Sequence, residues 1–144
     1  MSPADWLDAV LREPGTLLLG DGAMGTMLQA AGLPLGKAPE QWNVDRPDEV
    51  VRVHRAYAGA GARWSVANTF GGNRTRLAIS GLADRLTAVN AEAVRCAREG
   101  APRLRALGSL GPTGSPEPRV WDADYSEQAA ALAENGIDGF VVET

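Results

Sequence analysis

Among 144 residues there is one cysteine, Cys96, and one histidine, His54. A lone thiol excludes an internal disulfide framework and any all-cysteine metal site made by this chain alone. A lone imidazole makes a Ser-His-Asp hydrolase a poor reading. No apolar run approaches the roughly 20 residues that cross a bilayer. The opening Met1-Ser2-Pro3-Ala4-Asp5 lacks the basic-then-apolar layout of a signal peptide. Nor is there a dense basic patch: 14 Lys and Arg face 18 Asp and Glu, a net charge of -4, which argues against nucleic acid or an anionic membrane as main partner. What is present is globular in kind, 44% hydrophobic and 22% charged, so a disordered chain is excluded. The expectation is a soluble, cytoplasmic α/β protein of one domain.

Short apolar runs ending in glycine or polar residues predict four strands, at 16–20, 63–69, 104–107 and 137–143. Between them, helical spacing predicts three helices. The first opens at Asp45-Arg46-Pro47-Asp48-Glu49, with Asp45 as N-cap and Pro47 in the tolerant first turn. It carries Val50, Val53, His54 and Tyr57 on one face and stops at Gly59 and Gly61. The second spans 83–99 and the third 125–134. Residues 27–45 read as irregular, broken by Pro34, Gly36 and Pro39. The order is βαβαβαβ. An internal echo supports it: Gly61 to Thr69 matches Gly136 to Thr144, 75 residues later, in the pattern glycine, strand, polar residue, threonine. That period suits two βα units of a (β/α)₈ TIM barrel, of which four strands are the first half. An open doubly wound sheet is the alternative, weakened because no Gly-x-Gly-x-x-Gly follows the first strand.

In such barrels the active site lies at the C-terminal strand ends. Here those ends carry Asp21-Gly22, Asn68-Thr69, Gly108-Ser109 and Glu143-Thr144. Carboxylates accept from an ammonium group and backbone N–H groups donate to a carboxylate, so such a ring suits a small zwitterion. The loop Gly108 to Gly114 is glycine-rich but lacks the Gly-Lys-Ser/Thr of a phosphate-binding loop. His54 reads as a packed helix residue. Arg74, Arg76, Arg85, Arg95 and Arg98 read as a solvated helical face.

Several segments resemble the homocysteine S-methyltransferase family, in the style of the homocysteine-binding module of cobalamin-dependent methionine synthase. They are Leu19-Gly20-Asp21-Gly22-Ala23-Met24-Gly25-Thr26, Pro39-Glu40-Gln41-Trp42-Asn43, Val51 to Tyr57, Asn68-Thr69-Phe70-Gly71-Gly72-Asn73-Arg74, Gly108 to Gly114, and Val142-Glu143-Thr144. Together they run from about residue 15 to 144, in the family's order. The resemblance implies the N-terminal half of a (β/α)₈ barrel that transfers a methyl group to the sulfur of homocysteine, giving methionine. It implies that Asp21 and Glu143 meet the substrate ammonium. Gly22 offers a backbone N–H to its carboxylate, and Asn68 and Thr69 line the same pocket. It also implies a zinc ion held by three cysteine thiolates, with cobalamin, methylfolate, betaine or a methylsulfonium compound as methyl donor.

The family's zinc cysteines belong to the sixth and eighth strands, so no metal ligand and no catalytic residue is expected in this chain. Cys96 falls mid-helix on an apolar face and reads as a small hydrophobe. Ser109 stands where the family commonly has an acid, Trp64 and Ser65 replace an aliphatic pair, and Ala67 replaces a threonine. The expected domain is 1–144, a single partial barrel with a lead-in at 1–14. Its expected partners are homocysteine and either the missing C-terminal half-barrel or a second copy. Two other readings stay open: a non-catalytic half-barrel serving as a binding or structural module, and a different (β/α)₈ enzyme.

Overall fold

The computed structural model describes residues 3–15 and 17–144. The chain opens with α1 (Pro3–Arg12) and α2 (Met24–Ala30), then a 3₁₀ turn at Pro39–Gln41 and α3 (Trp42–Asp45). Next come α4 (Pro47–Gly59), β1 (Trp64–Ala67), α5 (Arg74–Ile79) and a second 3₁₀ turn at Ala83–Arg85. The chain continues through α6 (Leu86–Gly100), β2 (Arg105–Leu110), α7 (Pro118–Glu134) and β3 (Gly139–Val142).

The three strands form one parallel sheet in the order β1-β2-β3, with Val66 opposite Leu107 and Leu107 opposite Gly139. The expected first strand is reduced to a single parallel bridge, Gly20 to Trp64, beside a hydrogen bond from the Arg63 N–H to the Leu19 carbonyl at 2.8 Å. Thr16, its first expected residue, lies outside the described residues, as do Met1 and Ser2. Leu17 and Leu19 are 86% and 53% exposed, so little buried area holds this run against the sheet. The Trp64 ring nevertheless lies directly over Gly20, where a Cβ would come within 2.4 Å of it. Glycine is what lets the tryptophan lie there. Spatial order thus follows chain order, Gly20, β1, β2, β3, as in a singly wound arrangement.

Helices α4, α6 and α7 lie side by side against the sheet, α4 on β1, α6 on β1 and β2, α7 on β2. Alternation along β1 sends Ser65 and Ala67 to the helices, while Trp64 and Val66 take the other face. Small side chains seat α6: Ala93 and Ala97 meet Ala67 and Ala106 of the sheet. Leucines do the bulk burial. Leu28, Val50 and Val53 pack with Cys96, and Leu132 with Val94 and Leu110. Each such side chain contributes about 1.5–3 kcal/mol when fully buried.

Several expected boundaries shift. Residues 27–45 are not irregular, since they hold most of α2, a 3₁₀ turn and α3. Arg46, not Asp45, occupies the N-cap of α4, and Asp45 instead accepts from Gln41 Nε2 at 2.8 Å. Helix α7 begins seven residues before 125, and β2 runs on to Leu110. Helix α5 was not expected at all. No helix among the described residues is long and apolar enough to cross a membrane.

Candidate functional site

A cavity of about 890 Å³ opens where the strands end, and Asp21, Gly22, Asn68, Thr69 and Glu143 all line it. Asp21 follows the Gly20 bridge. Its Oδ2 accepts from Ser65 Oγ at 2.9 Å and from the Val66 N–H at 2.8 Å. Burial pushes the Asp21 carboxyl above the usual range, the two donors oppose that, and the charge of Glu143 adds to the rise. Glu143 follows β3, and its Oε1 accepts from Ser109 Oγ at 2.7 Å. Each carboxylate is therefore held by a serine hydroxyl from a neighbouring strand. Ser109 is the residue that anchors Glu143.

Gly22 is exposed on the cavity wall. A Cβ there would sit 2.9 Å from the Tyr57 hydroxyl, which donates to the Ala23 carbonyl at 3.2 Å. Asn68 and Thr69 are buried, and their side chains hold the scaffold. Asn68 Nδ2 donates to the Pro39 carbonyl and to Asn43 Oδ1, and Asn43 returns a bond to the Asn68 carbonyl. Thr69 Oγ1 exchanges hydrogen bonds with the Ser109 backbone, both at 2.9 Å. Their place at the cavity comes with side chains already committed.

Three charged residues of the wall were not singled out from sequence: Glu40, Lys37 and Arg76. Glu40 is buried, accepts from the Gly71 N–H at 2.7 Å, and has its carboxyl raised by burial, with Arg76 and the N–H opposing. The motif Pro39-Glu40-Gln41-Trp42-Asn43 was the available signal. Arg76 is not part of one solvated arginine face. The five arginines lie on α5, on the turn before α6 and on α6 itself, and four of them pair elsewhere: Arg74 with Glu127, Arg85 with Asp45, Arg95 with Glu92 and Glu99, Arg98 with Asp138. The wall thus combines three carboxylates with two cations, a charge set that suits the two ends of an amino acid.

His54 is buried on α4 with Nδ1 2.8 Å from Ser65 Oγ, and burial lowers its pKa to about 4. Cys96 is buried on α6, its Sγ donating to the Pro47 carbonyl at 3.7 Å, and burial pushes its thiol up to about 11. Zinc binds thiolates, neutral imidazoles and carboxylates, and a histidine or cysteine ligand needs open access and converging partners. Neither group fits, and no three His, Cys, Asp or Glu side chains among the described residues converge to hold a metal.

The profile of the family Homocysteine S-methyltransferase matches residues 18–144. The methionine synthase of Mycobacterium tuberculosis is 36% identical over 89% of this chain, and that of Mycobacterium leprae 35% over the same share. The chain spans only 12% of the length of each. In structure it resembles the metallated form of the homocysteine methyltransferase MmuM from Escherichia coli, with a TM-score of 0.82 and 24% identity. The match covers 99% of this chain and 57% of that one.

Proposed function

This chain belongs to the homocysteine S-methyltransferase family, and from that premise we propose that it is the amino-acid-binding N-terminal half of a (β/α)₈ barrel methylating homocysteine at sulfur to give methionine. Residues 1–144 then act as one partial domain, with 1–14 as a lead-in. The observation that carries the reading is the pair of serine-anchored carboxylates on one cavity, Asp21 after the Gly20 bridge and Glu143 after β3. Consecutive parallel order supports the half-barrel. So does the exposure of Phe140 and Val142 (44% and 76%) at the sheet edge, where a further strand and helix would cover them.

Asp21 and Glu143 receive the substrate ammonium, each keeping one oxygen on its serine. The Gly22 backbone N–H receives the substrate carboxylate. Asn68 and Thr69 hold the loops that shape the wall. Bound zinc acts in this family as a Lewis acid that favours the substrate thiolate, but the residues present do not fit a zinc site, so no step at sulfur is assigned to them. The methyl donor, whether methylcobalamin, methylfolate, betaine or a methylsulfonium compound, is likewise assigned no residue here. The barrel is completed by a C-terminal half-barrel or by a second copy. We extend the reading to a cytoplasmic setting.

Calorimetric titration of L-homocysteine into the full chain tests the reading. Glu143→Ala removes a charge-assisted partner of the ammonium, about 1.5–3 kcal/mol, which is tenfold or more in Kd. Equal affinity in wild type and variant would remove Glu143 from the site.

A further inference from the structure

We propose that His54 and Ser65 form a buried hydrogen-bond relay that positions the Asp21 carboxylate for the substrate amino group. It rests on the reading of Asp21 as an ammonium partner and extends the site through the sheet into the helix layer. Ser65 lies on β1 with its hydroxyl between two groups, His54 Nδ1 at 2.8 Å and Asp21 Oδ2 at 2.9 Å. Both His54 and Ser65 are buried, so water does not compete for these bonds.

Hydrogen counting fixes the direction. An ionised carboxylate only accepts, so the one hydroxyl hydrogen of Ser65 goes to Asp21. The contact to His54 is then a hydrogen bond only if Nδ1 carries the proton and donates to Ser65 Oγ. The ring is therefore the neutral Nδ1–H tautomer, and Nε2 holds a lone pair. Nε2 is indeed buried without a partner among the described residues. The imidazole fills a lone pair of the serine oxygen and keeps its hydrogen aimed at Oδ2. With the Val66 N–H on the same oxygen, Oδ2 is held twice, and among the described residues Oδ1 has no side-chain donor. An ammonium arriving at Asp21 neutralises the carboxylate, weakens the Ser65 bond and so alters the electron density of the ring. The lowered basicity of the buried ring keeps it neutral at physiological pH.

Because the chain holds one histidine, its imidazole ¹H–¹⁵N correlation spectrum reads the relay without assignment. In the ¹⁵N-labelled full chain at pH 7 the expected pattern is a protonated Nδ1 and an unprotonated Nε2. L-Homocysteine should shift the ring nitrogens, whereas 4-mercaptobutanoate, which lacks the amino group, should not. Ser65→Ala should release the tautomer toward Nε2–H and weaken homocysteine binding about tenfold, the worth of one hydrogen bond to a charged group. A wild-type ring protonated on Nε2 overturns the relay whatever the variant does. Homocysteine bound as tightly by a folded Ser65→Ala chain overturns its role in positioning. An Nδ1–H ring in a chain that binds no homocysteine overturns the function proposed above and upholds the relay.

Discussion

Replacing His54 with glutamine should flatten the acid side of the stability curve. In the folded chain burial holds the ring near a pKa of about 4, against 6.5 for an unburied histidine. A group with a depressed basic pKa binds fewer protons folded than unfolded, so stability rises with pH across that window. The penalty is absent above 6.5, grows as pH falls, and is complete below about 4. Linkage at 1.36 kcal/mol per unit gives about 2.5 kcal/mol lost between pH 7 and pH 4.5. For a chain of this size that is roughly 5–10 °C in Tm. Asp21 and Glu40, whose carboxyl groups are raised by burial, push the other way by gaining protons first in the folded state. Glu127 and Asp138, held low by arginine partners, add to the acid loss. All four are present in both proteins and largely cancel in the difference. Urea titrations by circular dichroism at pH 7, 6, 5 and 4.5 give the two curves. The gap between wild type and His54→Gln should be constant above about pH 6.5 and shift by about 2.5 kcal/mol in the variant's favour toward acid. Parallel curves would refute a buried, neutral His54.

Two further outcomes follow from the same packing. Cys96 should resist a thiol reagent such as Ellman's reagent in the native chain at pH 8 and react stoichiometrically in urea, since its thiol is buried and raised to about 11. Rapid native labelling would contradict its place among Leu28, Val50 and Val53. Sedimentation equilibrium at tens of micromolar should show a dimer or larger species, because Leu17, Leu19, Phe140 and Val142 leave apolar edges open. A compact monomer with a sharp cooperative melt would show that the edges are satisfied within one chain.

Much of this architecture was legible as period and punctuation. The α4 and α6 faces, with Val50, Val53, His54, Val89, Ala93 and Cys96, carry a clean helical repeat, and each of these residues is buried. The strand runs at 63–69 and 137–143 pair on either side of β2, which is what the internal echo requires. Other elements had no such signal. Met24–Ala30 starts inside a glycine-rich run, so Gly25 and Thr26 masked it. Helix α5 is short and rests on Asn73, whose Oδ1 accepts from the Arg76 N–H, a cap visible only once a helix is suspected. The first turns of α7 carry Arg119, Asp122 and Asp124 and show no apolar repeat. At the site, the carboxylates and glycine were readable as residues at strand ends. The roles of Ser65, Ser109 and Glu40 were not, because they depend on which strands and loops become neighbours.

The most direct test is a crystal structure of the chain grown with L-homocysteine. The account predicts the substrate amino nitrogen within hydrogen-bond distance, about 2.7–3.2 Å, of carboxylate oxygens of both Asp21 and Glu143. The substrate carboxylate should lie at the Gly22 backbone, and the sulfur should point away from Cys96. Homocysteine bound with its amino group elsewhere, or a cavity left empty at saturating ligand, would contradict it.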